Sequence, residues 1–229
     1  MAKVKFGMYM TDARGKQNGH VFSKNRSGAI VRAKVTPTNP QTASQIAARA
    51  RFSTNSQGWR DLTDAQRQAW INAVQDFKST NIFGDSITPS GINLYIQINT
   101  QLALIGEAAI TNPPLPTAVA RFLTLAVAAA SGAQTMVATY TPAIPANTHG
   151  VLLATPAMSP GKAFVKSDFR VVDSYVAADV SPLNIAADYL AKFGAIGAAG
   201  QKIHFKFYLI DDTTGIVGAP IFATSVIAA

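Results

Sequence analysis

The run Asn112–Pro116 contains three prolines and separates two parts of the chain whose hydrophobic residues repeat with different periods. Before this run, apolar residues recur every three to four positions, which is typical of amphipathic helices. After it, short apolar runs alternate with Pro, Gly, Asn and Ser, which is typical of strands and turns. Because proline cannot continue a helix and stiffens the backbone, we place a domain boundary at this run.

The part after the boundary is predicted to contain six or seven short strands. Ile203, Phe205, Phe207 and Leu209 alternate with His204, Lys206 and Tyr208, as in a half-buried strand. The turns are predicted at Ser131-Gly132, Asn147-Thr148, Ser159-Pro160-Gly161 and Asp211-Asp212-Thr213-Thr214-Gly215. Residues 185–193 are predicted to add a helical turn. We therefore expect an antiparallel β-sandwich over residues 118–229.

The part before the boundary is predicted to form three helices and a short strand. Gly28 to Val35 suits the strand. Asn39 and Pro40 then fit the N-cap and the first position of a helix over residues 41–52. Its apolar face consists mainly of alanines, which favours close packing on another helix.

The second helix is predicted from Thr63-Asp64-Ala65-Gln66, which matches the capping-box pattern. The third is predicted over residues 92–105 from the helical spacing of four apolar side chains, Leu94, Ile98, Leu102 and Ile105. Trp59 and Trp70 are interpreted as core anchors of this helical unit, with an exposed interface role for one of them as the alternative. The fold class is thus α+β, with a helical module over residues 28–112.

Residues 1–60 carry eleven Lys and Arg but a single acid, Asp12, whereas the remainder of the chain is slightly acidic. This imbalance favours association with a polyanion or with an acidic protein face. We interpret residues 1–27 as a basic arm, which is either flexible or ordered against a neighbouring subunit.

Only 14% of the residues are charged and none is cysteine. The low charge is typical of a subunit that buries surface against copies of itself, so a homo-oligomer is expected. The absence of cysteine excludes a disulfide framework and thiol catalysis. The N-terminus lacks the pattern of a signal peptide, and no apolar run is long enough to span a membrane, so we expect a soluble product made in the cytoplasm without a membrane partner.

No catalytic, cofactor-binding or metal-binding residues are predicted. His20, His149 and His204 have no spacing typical of metal ligands, and no GxSxG motif is present. Asp211-Asp212, with Asp173, could form a carboxylate cluster, but a hairpin turn is the favoured interpretation. We therefore expect a protein that is not an enzyme.

The residues that carry a resemblance extend from residue 28 to about 105. They follow the pattern GxIVRAKVxPxNPxTxxQxxxRxxF, then a Trp, then LTxxQRxAW and a later GxNLYxxxN. The matching positions are Asn39, Pro40, Thr42, Gln45, Arg49, Phe52, Trp59, Leu62, Thr63, Gln66, Arg67, Trp70, Gly91, Asn93, Leu94, Tyr95 and Asn99. This module resembles one that recurs in uncharacterised proteins of tailed bacteriophages and prophages. The second half is similar in pattern to the immunoglobulin and fibronectin type III domains of phage particles.

This resemblance implies a structural protein of the virion, such as a capsid, portal-vertex or tail-associated subunit, that binds other virion proteins. We expect the interface to use Arg32, Lys34, Asn39, Gln45, Arg49, Arg51 and Trp59. The alternative is a protein that binds nucleic acid without sequence specificity, such as packaged DNA, through Lys3, Lys5, Arg14, Lys16, Lys24 and Arg26.

Overall fold

The computed structural model describes residues 2–229 and divides the chain into two compact units. The first unit comprises Met1–Thr100 and Ile110–Pro114, and the second comprises Gln101–Ala109 and Leu115–Ala229. Over the described range the chain has four α-helices and several antiparallel sheets, which confirms the α+β prediction. Within that range, no helix is both long and apolar enough to cross a membrane.

The first unit begins with a four-stranded antiparallel sheet. Its strands are β1 (Ala2–Val4), β2 (Gly15–Gln17), β3 (His20–Asn25) and β4 (Gly28–Ala33), in the spatial order β1-β4-β3-β2. Asn18, with a φ of 49°, and Gly19 form the turn between β2 and β3. Asparagine followed by glycine is the pair that tight hairpins favour, because both tolerate the left-handed conformation.

This sheet differs from the basic arm that the sequence predicts for residues 1–27, an arm that is either flexible or ordered against a neighbouring subunit. β1 and β3 both pair with β4, so these residues are strands within the chain's own sheet. Phe6 to Met10, by contrast, lie outside the strands. Strand pairing uses backbone N–H and C=O groups, so a sequence rich in Lys and Gly forms a sheet without an apolar stripe that would reveal it.

Helix α1 covers Ala43–Asp61, and its N-cap is Thr42, whose hydroxyl accepts a hydrogen bond from the backbone N of Gln45. The prediction of Asn39 as N-cap and Pro40 as first helical residue is therefore wrong. Gln41 has a φ of 49°, a left-handed conformation that the first turn of a helix cannot contain. The helix therefore begins only after this residue.

Helix α2 covers Asp64–Ala73 and begins with the predicted capping box. The Thr63 hydroxyl accepts from the backbone N of Gln66, and the Gln66 side chain accepts from the backbone N of Thr63. A short hairpin of β5 (Ser79–Thr80) and β6 (Ser86–Ile87) precedes helix α3 (Gly91–Ile105). The apolar stripe predicted for α3 is confirmed, since its members Leu94, Ile98, Leu102 and Ile105 are all buried.

The second unit contains two antiparallel sheets. The first sheet has the order β10-β9-β12-β13, with β9 (Thr148–Ala154), β10 (Arg170–Tyr175), β12 (Lys202–Asp211) and β13 (Ile221–Val226). The second has the order β11-β8-β7, with β7 (Thr124–Ala130), β8 (Thr135–Thr141) and β11 (Leu183–Asn184). Helix α4 (Ala186–Phe193) follows β11, where a helical turn is predicted.

Side chains from both sheets form one buried cluster. Phe122 stacks on Phe207 of β12 with ring centroids 4.2 Å apart, and Tyr140 of β8 meets both rings edge-on. Gly150 lies beneath this cluster, and a Cβ there would approach the Phe207 ring to 2.8 Å. The aromatic rings thus occupy space that a side chain on β9 would otherwise fill.

The hairpin turn predicted at Asp211 is confirmed. One oxygen of the Asp211 carboxylate accepts hydrogen bonds from the backbone N atoms of Thr213 and Thr214 and from the Thr213 hydroxyl. Burial raises the pKa of Asp211, but these hydrogen bonds outweigh it, and the net pKa lies below its ordinary value. The carboxylate therefore stabilises the turn.

Candidate assembly interface

The two faces of the N-terminal sheet differ in character. Lys16 lies opposite Val21, which lies opposite Arg32, while Lys3 lies opposite Ile30. Residues directly opposite each other on paired strands lie on the same face of a sheet, as do residues two apart on one strand, such as Ile30 and Arg32. Lys3, Lys16 and Arg32 therefore share a face, which we call the basic face. The other face carries Val4, Phe22 and Val31 together with Lys24, whereas the basic face also carries Val21 and Ile30.

Several of the predicted nucleic-acid contacts are already engaged with acids. Lys5 Nζ lies 3.1 Å from Asp85, while Arg14 and Lys24 lie 3.3 and 4.0 Å from Asp12. Hydrogen bonds from Asn81 and then from Lys5 hold the pKa of Asp85 below its usual value. These three cations are exposed, but part of their charge is compensated within the chain.

The remaining cations are less constrained. Lys3 donates a hydrogen bond to the backbone carbonyl of Ser27. Lys16 and Arg32 on the sheet, and Arg26 in the turn between β3 and β4, form no ion pair with any residue from 2 to 229. Lys34 follows β4 directly, and its backbone N donates to the carbonyl of Gly19 at 2.7 Å.

The predicted interface residues around α1 form one local arrangement. Arg49 Nη2 donates to Asn39 Oδ1 at 2.8 Å, so Asn39 holds an arginine instead of capping the helix. Gln45 lies one turn earlier and is half-buried, as is Arg51. Asn39, Gln45 and Arg49 are therefore grouped near the beginning of α1, which the sequence spacing alone predicts only in part.

Trp59 lies near the end of α1 and packs on Tyr95 of α3, with ring centroids 5.5 Å apart. Trp70 meets the same ring at 5.3 Å, is fully buried and donates from Nε1 to the carbonyl of Thr111 at 2.8 Å. Both contacts lie in the first unit, and the burial of Trp70 matches its interpretation as a core anchor, whereas Trp59 is not part of the buried core. Trp59 is half-buried, so part of its ring remains available to a partner.

The surface of the first 61 residues carries hydrophobic side chains that sequence reasoning missed. Among residues 2–61 no hydrophobic side chain is buried, and the first one along the chain is Leu62. Six large hydrophobic side chains are exposed there, namely Met8, Tyr9, Met10, Val35, Ile46 and Phe52. The sequence of α1 does contain a signal for this exposure. Ile46 and Phe52 are its only large apolar residues before Trp59, and they do not repeat along one face, so this part of the helix has no apolar stripe to bury.

The chemistry-bearing side chains are dispersed. Between residues 2 and 229, no group of three or more His, Asp or Glu side chains is placed to hold a metal ion. His149 Nε2 lies 3.9 Å from Glu107, and His204 Nδ1 lies 2.9 Å from the Thr224 hydroxyl. The features that indicate a function are therefore the positive charge of the first unit and its exposed apolar side chains.

No protein-family model, curated protein or solved structure matches this chain.

Proposed function

We propose that this protein is a structural component of a bacteriophage virion and acts by protein–protein assembly, as a homo-oligomer that also binds other virion proteins. The observation that carries the proposal is the absence of any buried hydrophobic side chain among residues 2–61, although these residues contain a four-stranded sheet and the whole of the 19-residue helix α1. The resemblance of residues 28–105 to a phage module supplies the class of particle.

A sheet or a helix gains most of its stability by burying an apolar face against another element. The face of the N-terminal sheet that carries Val4, Phe22 and Val31 has these side chains only half-buried. Ile46 and Phe52 of α1 are 53% and 58% exposed. Exposed apolar surface of this kind marks protein interaction sites in soluble proteins. We assign the first unit the docking role and expect its occupant to be a neighbouring subunit.

For the second unit we propose an immunoglobulin- or fibronectin-like β-sandwich. If its seven strands β7–β13 are renumbered 1–7 in chain order, one sheet has the order 5-2-1 and the other has the order 4-3-6-7. In immunoglobulin lettering these are E-B-A and C′-C-F-G, which places A, B and E on one sheet and C, F and G on the other. The shared aromatic core takes the place of the disulfide and tryptophan found in antibody domains.

The assembly role is tested by measuring the mass of the purified full-length protein with light scattering at low and high salt. We expect an oligomer that persists at high salt, because burial of apolar surface is not screened. Phe52→Ser should weaken association about tenfold or more, since burying a Phe side chain contributes about 1.5–3 kcal/mol. Gln57→Ser, an exposed change in the same helix, is the matched control and should leave the mass unchanged. A wild-type protein that is monomeric at all concentrations would contradict the proposal.

Charge at the docking helix is tested separately by replacing Arg49 and Arg51 with Glu. We expect weaker association at low salt with an unchanged melting temperature, because both residues lie outside the buried core. If the two changes lower the melting temperature as strongly as the loss of a core residue, these arginines support the fold and the docking assignment fails.

The virion assignment needs its own measurement, because an oligomer can form outside a particle. Density-purified phage particles from cells that encode this chain are digested and examined by mass spectrometry. We expect peptides of the chain at a fixed ratio to the major capsid protein. If the protein forms oligomers in solution but none of its peptides is found in particles, the assembly role stands and the assignment to the virion fails.

The alternative function, nucleic-acid binding without sequence specificity, is favoured by the basic face of Lys3, Lys16 and Arg32. Titration of a generic DNA duplex at several salt concentrations tests it, since each phosphate contact contributes about 0.9 to the slope of log K against log salt. Replacing Lys16 and Arg32 with Gln would reduce that slope by about two if DNA lies on this face. Our proposal expects no such binding.

A further inference from the structure

A groove in the second unit lies outside the proposed docking surface. It has a volume of about 470 Å³ and lies on the first sheet where β12 and β13 meet the segment 163–169. Ile203, Phe205 and Phe207 of β12 are buried in the core, so alternation places His204 and Lys206 on the opposite face of the sheet. On β13, Thr224 lies opposite His204, and Phe222 lies opposite Lys206.

The walls of the groove are aromatic. The rings of Phe169 and Phe222 lie on it with their centroids 6.2 Å apart, and Phe222 is 61% exposed. Such exposure of a phenylalanine on a strand is costly in water. A planar ring placed against Phe222 would cover it and could also contact Phe169.

The charge of the groove has one sign. Lys166 and Lys206 both line it, and no Asp or Glu does. The Lys206 ammonium group lies 5.4 Å from the centre of the Tyr208 ring, so a cation–π contact holds it on this face. Neither lysine forms an ion pair with another residue in the described range 2–229. The electrostatic complement of this groove is an anion.

His204 adds a directional polar group. Its Nδ1 lies 2.9 Å from the Thr224 hydroxyl, whereas its Nε2 is shielded from solvent and has no hydrogen-bond partner among residues 2–229. If the Thr224 hydroxyl donates to Nδ1, the ring proton resides on Nε2 and remains available to an acceptor. An unpartnered donor shielded from water is unfavourable, and an anionic acceptor in the groove would remove that cost.

We propose that this groove binds a small aromatic anion, a planar ring that carries a sulfonate, carboxylate or phosphate group. The ring packs on Phe222 and Phe169. The anionic group accepts hydrogen bonds from the Lys206 ammonium group and from His204 Nε2, with Lys166 adding positive charge at the rim. Binding requires no covalent step.

The probe pair is 8-anilinonaphthalene-1-sulfonate and N-phenyl-1-naphthylamine, which share their aromatic rings but differ in the sulfonate. We expect the sulfonate to bind the full-length protein at least tenfold more tightly, because a hydrogen bond to a charged group is about twice as strong as a neutral one and the uncharged dye makes none here. Equal affinities for the two dyes would overturn the proposal, as would a failure of the sulfonate to bind.

Two variants locate the binding site. Lys206→Met should weaken sulfonate binding about tenfold, whereas Lys206→Arg should retain it. Lys192→Met, at an exposed lysine in the last turn of α4, is the matched control and should have no effect. Equal affinities of Lys206→Met and Lys192→Met would show that the dye binds elsewhere, for example on the exposed apolar side chains of the first unit, and would overturn the assignment.

Nitrogen-15 NMR of the imidazoles provides an independent readout. The chain has three histidines, so the His204 signals can be assigned by comparison with His204→Gln. We expect the sulfonate to shift the Nε2 signal of His204 and to leave those of His20 and His149 unchanged. Saturation with dye without movement of the His204 signal would exclude the groove.

Discussion

Asn99 is a fully buried polar side chain that joins α3 to the segment beginning at Ile110. Its Nδ2 donates to the carbonyls of Tyr95 and Ile110 at 3.1 and 3.3 Å, and its Oδ1 accepts from the backbone N of Ile110 at 2.7 Å. Asn99→Ala removes these three hydrogen bonds together. It leaves the N–H and C=O groups of Ile110 without the partners that satisfy them.

The cost of this change follows from the groups that lose their partners. A buried backbone group without a hydrogen bond costs about 1–3 kcal/mol. Ile110 is half-buried, so water recovers part of that cost, and the higher helix propensity of alanine offsets about 0.6 kcal/mol. We expect Asn99→Ala to lower the free energy of unfolding of the first unit by about 2–4 kcal/mol. For a unit of this size, that is a fall in melting temperature of about 10 °C or more.

The assay is urea unfolding followed by tryptophan fluorescence. The chain has only two tryptophans, Trp59 and Trp70, and both lie in the first unit, so their emission reports that unit selectively. Asn93→Ala, an exposed change in the same helix, is the control and should alter the free energy by no more than about 0.5 kcal/mol. Equal losses for the two alanine variants would refute the reasoning.

Asn99→Asp extends the test to pH. A protonated carboxyl can both donate and accept as the amide does, whereas a buried carboxylate cannot donate, so burial raises the pKa of the introduced group in the folded state. Because the folded-state pKa then exceeds the unfolded value, the stability of this variant is retained below the unfolded value of about 4 and declines as the pH rises. A variant whose stability relative to wild type is the same at about pH 4 and about pH 7 would show that position 99 is hydrated.

Three further changes test other parts of the fold. Trp70→Ala should lower the free energy of unfolding by about 3–5 kcal/mol in the fluorescence assay, because it leaves a cavity and removes the hydrogen bond to Thr111. A loss below about 1 kcal/mol would place the ring outside the core. Thr63→Ala should cost about 1 kcal/mol in the same assay, since it removes the N-cap of α2, and an unchanged midpoint would contradict a stabilising role for the capping box. Burial raises the pKa of Tyr189, whose hydroxyl donates to the Thr155 carbonyl, from 10.0 to about 12. The folded-state pKa exceeds the unfolded one, so this contribution is present below about pH 10 and is lost as the pH rises towards 12. Circular dichroism should show alkaline destabilisation of the second unit beginning in that interval, to which Tyr175 also contributes because burial raises its pKa as well. In a Tyr175→Phe background, Tyr189→Phe should move the alkaline midpoint to higher pH, and an unchanged midpoint would contradict the assignment.

The elements that the sequence predicts correctly are those whose signals are local. The capping box at Thr63 lies within one helical turn, and the stripe of α3 lies within about three consecutive turns of one helix. The hairpin at Asp211 depends on hydrogen bonds within four residues. Such patterns are little affected by the rest of the fold. They also indicate which side chains form the core, as the burial of Leu94 and Ile98 illustrates.

The elements that the sequence does not predict depend on distant partners. β1 pairs with β4 across more than twenty residues, and no local pattern indicates that pairing. Helix α1 extends beyond Phe52 to Asp61 although Ser53, Thr54 and Asn55 are poor helix formers. There Asn55 donates to the Thr100 hydroxyl at 3.1 Å. The same limit applies to the groove beside β12, because its wall comes from a segment about forty residues away.

The place of Gly150 beneath the Phe207 ring couples two positions that are far apart in the sequence. A Cβ at residue 150 would also lie 3.1 Å from the Ile144 side chain, so neither neighbour leaves room for it. A side chain at position 150 would therefore require the Phe207 ring and the Ile144 side chain to shift or to be replaced by smaller side chains. Substitutions at positions 150 and 207 are thus expected to be correlated, and their joint variation among descendants of this chain would record the packing of the aromatic cluster.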